Sequence, residues 1–154
     1  SITEQAPAVF HSEQINLPLN TLDREVFIVT DIAIAPSYLD INAGLDATFD
    51  IQCTKTEVSN LVGISDPNVI GKGYVRLYDS GAGTAIMEDR YPTTESTTGT
   101  PKDYITVIAT PDFWLSCIAT NQGAPRGGHV MLTGFRATAT ADLYAALVTE
   151  ELNN

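Results

Sequence analysis

Residues 25–35 read EVFIVTDIAIA, and no other stretch of the chain restricts its fold as strongly. β-Branched residues dominate the run, and an extended backbone sends successive side chains to opposite faces. In strict alternation Val26, Ile28, Thr30, Ile32 and Ile34 share one face, and Phe27, Val29, Asp31 and Ala33 share the other. Pro36 ends the strand, because it has no N–H to give to a ladder. A strand this apolar needs neighbouring strands and a second layer to bury it, so the chain folds around β-structure.

The same period recurs along the chain. In residues 47–56, Ala47, Phe49, Ile51 and Cys53 alternate with Thr48, Asp50, Gln52 and Thr54, which predicts one buried and one wet face. Residues 57–73 carry Gly63, Pro67, Gly71 and Gly73 and read as a long connection. Strands follow at 74–78 and 84–87, joined by the turn residues DSGAG at 79–83. A polar Thr-rich loop spans 91–101, and further strands are expected at 104–109, 113–120 and 129–138. Before all of these, residues 1–22 contain Pro7 and Pro18 and no helical period. They read as an extended arm with an edge strand near 14–19. At the other end Leu143, Leu147, Tyr144, Val148 and Leu152 repeat at helical spacing, with Thr140 as N-cap. Glu150 and Glu151 lie at the end of that helix where the dipole disfavours them.

About eight short strands and one terminal helix describe an all-β, antiparallel β-sandwich. Its long connections are what Greek-key and jelly-roll crossings require. The organisation is an arm at 1–22, a sandwich at 23–140 and a C-terminal helix and tail at 141–154. A chain of 154 residues buries roughly 70% of its unfolded surface, so its folding requires neither disulfide nor metal.

Charge excludes partners more firmly than it suggests them. Eight Lys and Arg stand against nineteen Asp and Glu, for a net charge of −11. The cations Arg24, Lys55, Lys72, Arg76, Arg90, Lys102, Arg126 and Arg136 are dispersed, and the arm has none. Direct binding of nucleic acid is not expected, because it draws on clustered cations. No apolar run reaches the ~20 residues of a membrane-spanning helix, so membrane insertion is not expected either.

Candidate chemistry is sparse. The serines lack the flanks of a nucleophile elbow, and the histidines are His11 and His129 alone. Cys117 and His129 lie near the ends of neighbouring strands and could form a thiol–imidazole pair, but the apolar setting of Cys117 beside Phe113 and Leu115 raises a thiol's pKa and predicts an inert one. Cys53 and Cys117 share the parity of core residues, which predicts buried, reduced thiols. Asp40, Asn42 and Asp46 have the rhythm of a calcium loop, yet Leu45 and Ile51 stand where such a loop needs Gly and Glu. No cofactor and no enzymatic activity are expected. Residues suited to an interface are Val9, Phe10, Ile15, Trp114, Tyr144 and Val148, with Trp114 the favoured anchor.

Residues 106–138 (TVIATPDFWLSCIATNQGAPRGGHVMLTGFRAT) resemble the last strands of single jelly-roll viral capsid proteins, and residues 25–35 resemble a first core strand of that fold. The likeness covers roughly 23–140 and rests on strand rhythm and loop placement. It implies a structural protein of the virion whose activity is self-assembly, as a capsid or capsid-decoration subunit, with itself and other coat proteins as partners. Many small capsid proteins carry a basic arm, and this arm is acidic. The resemblance therefore implies a shell whose genome is neutralised otherwise, or a position outside another layer. Two competing readings are a subunit of a secreted surface filament joined by strand addition, which a leader peptide upstream of Ser1 would favour, and a carbohydrate-binding module with Trp114, Tyr91 or Tyr104 as stacking platform.

Overall fold

The computed structural model describes residues 1–42, 44–79, 85–90 and 104–153. Among them are nine strands: β1 (Ile2–Thr3), β2 (His11–Asn16), β3 (Glu25–Pro36), β4 (Ala47–Thr54), β5 (Val69–Asp79), β6 (Ala85–Arg90), β7 (Thr106–Ile108), β8 (Asp112–Thr120) and β9 (Gly127–Thr138). One helix, α1 (Ala141–Asn153), follows. The strands form two antiparallel sheets, ordered β1-β9-β3-β7 and β2-β8-β4-β5-β6. Val29, Ile32 and Ile34 of the first sheet and Phe49, Ile51 and Leu115 of the second are buried in one apolar cluster, so the architecture is a β-sandwich. The pairings nest in sequence: β1 with β9, β2 with β8, β3 with β7 and β4 with β5. Successive pairs alternate between the sheets, and β9·β3 and β8·β4 join them side by side.

The face assignment of β3 is corrected at one point. Its register against β9 shifts between Val29 and Asp31, so Thr30 is an extra residue with no opposite number. A bulge of this kind reverses the parity on either side of it. Phe27 and Val29 face the core before it and Ile32 and Ile34 after it, whereas Val26 and Ile28 join a second cluster outside. Gly134 sits opposite Val29, and a Cβ there would lie 2.0 Å from the Ile28 carbonyl oxygen. The close approach at the bulge requires glycine.

The second cluster is roofed by α1. Tyr144, Leu147 and Val148 pack on Val26, Ala109 and Ala139, while Leu143 and Leu152 stay exposed. The Thr140 hydroxyl accepts from Leu143 N at 3.4 Å, as an N-cap would. Glu151, read as misplaced for the dipole, is buried and accepts from the N–H groups of Ala109 and Thr110. Local acceptor chemistry outweighs the unfavourable dipole end.

Further expectations change. The arm is built into both sheets: β1 pairs with the start of β9 and β2 with β8, and Ile2 is only 1% exposed. Ala8, at φ 58°, lies in the turn that carries the chain from one sheet to the other. The edge strand expected near 14–19 is His11–Asn16. The long connection is shorter than read, because β5 begins at Val69. What remains of it lies across the outer face of β4. Gln52 donates to Asn60 O at 3.2 Å and accepts from Val62 N at 3.1 Å, so a face expected to be wet is covered. In the 104–109 stretch only Thr106–Ile108 is strand. The turn at 80–83 and the Thr-rich loop with Tyr91 fall outside the described residues.

Candidate functional site

The residues singled out for chemistry are not brought together. Cys117 lies in the core on β8, whereas His129 is exposed on β9 of the other sheet, so no thiol–imidazole pair forms. Burial, reinforced by the charges of Glu4 and Glu13, pushes the Cys117 thiol up to about 12. Burial alone pushes Cys53 up further. Both are free thiols. Cys117 stands opposite Ile51 and Cys53 opposite Leu115, two positions apart on adjacent strands. Such diagonal neighbours are about 7–8 Å apart, too far for a disulfide without a register change.

The calcium rhythm is spent on protein partners. Asp40 pairs with Arg126, Asn42 donates to Asn121 O at 2.6 Å, and Asp46 accepts from Asp79 N at 3.1 Å. Among the described residues no three His, Cys, Asp or Glu side chains converge as metal ligands would. The contacts of Asp40 and Asn42, with Gln122 bridging both backbone groups of Asp40 and Asn121 donating to Asp46 O, tie residues 40, 42 and 46 to the 121–126 loop. The tied pair holds Tyr38, Ile41 and Leu45 out to solvent at one end of the sandwich. Beside it an open cleft of about 300 Å³ is lined by Ser1, Thr3, Ser37, Arg126 and His129. The Ser37 hydroxyl there donates to Gly127 O.

Of the six interface residues read from the sequence, three are used internally. Ile15 packs on the main core, and Tyr144 and Val148 hold α1 on the sandwich. Trp114 is half-buried between Gln14 and Thr54 on the outer face of the five-stranded sheet. Val9 stays exposed and Phe10 half-buried at the turn between β1 and β2. On the same outer face burial raises the Asp50 carboxyl, partly offset by the cations Arg76 and Lys72. Arg76 reaches Asp50 at 3.2 Å and lies 4.8 Å from the centre of the Tyr74 ring.

An edge overlooked in the sequence is more open than any of these. β9 pairs with β3 from Gly128 to Thr138, but on its other side β1 covers only Gly127 and Gly128. The remainder of that edge has no strand partner among the described residues. Met131 and Phe135, 62% and 54% exposed, stand on its outer face. The alternation of residues 129–138 carried the signal, since two large apolar side chains share the parity of His129 and Thr133. No protein-family model, curated protein or solved structure matches the chain.

Proposed function

We propose that this chain is a non-enzymatic structural subunit with a jelly-roll sandwich that assembles with copies of itself, as a viral capsid or capsid-decoration subunit. The observation that carries the reading is the nested pairing β1·β9, β2·β8, β3·β7 and β4·β5, with successive pairs alternating between sheets. Nesting of this kind supports a jelly-roll plan, on which capsid and lectin domains are built. β6 is an addition to it, extending the five-stranded sheet beyond β5. Fold alone does not select between those classes. The assembly reading is favoured by the hydrogen-bonded loop end displaying Tyr38, Ile41 and Leu45, and by the β9 edge with Met131 and Phe135, which has no strand partner beyond Gly128 among the described residues.

Net charge of −11 opposes contact between copies, and salt weakens that opposition, with a screening length of about 10 Å at 0.1 M. The test is electron microscopy and light scattering of the full chain over a range of concentration and salt. Particles or discrete oligomers that increase with salt are expected, and fibres would move the reading to a filament subunit. A chain that stays monomeric throughout would overturn it.

A further inference from the structure

We infer that the open edge of β9 is a pairing surface for a second copy of this chain, joined antiparallel about a two-fold axis at Thr133. The inference rests on the assembly reading above and names one contact within it. Three observations lead there.

Among the described residues no strand pairs with this edge beyond Gly128, and its hydrogen-bonding groups follow a fixed order. Arg126 O accepts from Glu4 N on the β1 side, and Gly127 O accepts from Ser37 N on the β3 side. Thr133 O also faces β3, where it accepts from the Thr30 hydroxyl. Backbone groups alternate along a strand, so Val130, Leu132, Gly134 and Arg136 aim theirs away from β3. Unpaired groups in a row are a template for another strand, and the usual protections are missing: β9 is long and contains no Pro and no Lys.

Charge permits a second copy here as it does at no other described edge. No Asp or Glu occurs between Asp112 and Asp142, in a chain that has nineteen. The one formal charge of β9, Arg136, is paired with Glu25 at 3.6 Å. The other edge strands differ: β2 carries Glu13, β6 carries Glu88 and Asp89, and β7 has three residues.

The side chains are self-complementary. An antiparallel pair centred on Thr133 sets Thr133 against its own copy and Met131 against the second copy's Phe135, twice by symmetry. A thioether against an aromatic ring is a favourable contact, and a two-fold interface requires such reciprocity. The same register brings Val130 opposite Arg136 and Leu132 opposite Gly134, so that all outward-aimed backbone groups are paired.

The test uses the full chain and three variants. Met131→Lys with Phe135→Lys, and Met131→Glu with Phe135→Glu, each place like charges across the axis. Both sites are exposed, so circular dichroism is expected to be unchanged. Each double variant alone should lose the wild-type dimer in light scattering, and an equimolar mixture should regain it. Thr133→Cys should give a disulfide-linked dimer on a non-reducing gel, since residues opposite at a non-hydrogen-bonded position are about 4.5 Å apart. Wild-type assembly that both charged variants retain, without cross-linking at Cys in place of Thr133, would overturn this contact and leave the assembly reading standing. A wild-type monomer without cross-linking at any concentration would overturn both.

Discussion

Glu151 Oε2 accepts two hydrogen bonds from Thr110, one from its N–H at 3.0 Å and one from its hydroxyl at 2.8 Å. The other carboxylate oxygen takes the N–H of Ala109 at 2.7 Å. The final turn of the helix thus supplies acceptors to a backbone corner between β7 and β8, where no strand can. Glu151→Ala leaves the buried Ala109 N–H without its acceptor, at a cost of about 1–3 kcal/mol for each group so abandoned. Glu151→Gln keeps one acceptor and should lose less. Urea midpoints at constant slope measure both.

The first residues act on the fold directly. Ile2 is in the main core, and Glu4 accepts from Ala119 N at 2.8 Å and Arg126 N at 2.9 Å. Those bonds continue the sheet past the point where β2 leaves β8. Ile2→Ala is expected to cost about 2–5 kcal/mol, in line with other large-to-small core changes. Removing residues 1–5 should lower the thermal midpoint in dilute solution, where only the single chain is present. An unchanged midpoint would mean that this segment contributes to contacts between copies instead.

Stability should fall at high pH. Both core thiols titrate above the ordinary value of 9.0 because burial disfavours the thiolate, and Cys117 reaches about 12. Below pH 9 folded and unfolded chains bind the thiol proton alike, and the full stability is present. Between 9 and about 12 the unfolded chain releases that proton and the folded one keeps it, so stability declines as pH rises. Cys117→Ala should flatten this decline when unfolding free energy is measured from pH 8 to 11. In the native protein at pH 7.5, both thiols should react with Ellman's reagent only as fast as the chain unfolds.

Alternation and helical spacing made much of the fold legible. The strands around Phe49, Leu115 and Val130 and the helix carrying Tyr144 and Val148 lie close to where the pattern puts them. The inward parity of Cys53 and Cys117 was likewise readable. What escaped depends on single residues or on distant contacts. A bulge adds one residue without altering composition, so the face of Ile28 could not be known from periodicity. β1 is two residues long and is held by its partners in β9. Gln52 looks like any outward polar residue until the 60–62 segment crosses it. The open side of β9 is a property of strand order, which local sequence does not encode. Three of the interface residues chosen from the sequence turn inward for the converse reason: apolar periodicity marks what a chain buries, and Ile15, Tyr144 and Val148 are partly buried against their own domain.

The bulge itself is testable through Gly134. A Cβ at this position would stand 2.0 Å from Ile28 O and 2.9 Å from Ile28 C, both backbone atoms that cannot rotate aside. Gly134→Ala therefore forces β3 and β9 apart where Thr30 is looped out, and overpacking of this kind costs about 1–3 kcal/mol. The strain falls on the pairing of Val29, which is fully buried, so the loss extends into the core. Gly123 is the control. An added Cβ there meets nothing within 4 Å, and its φ is not in the left-handed range. Gly123→Ala should be neutral or stabilise by up to about 1 kcal/mol, since alanine restricts the unfolded chain more than glycine does. Thermal and urea unfolding of the two variants side by side separate the effect of a methyl group from that of its position. Equal midpoints would mean that the β3·β9 register is not held by close approach at Gly134.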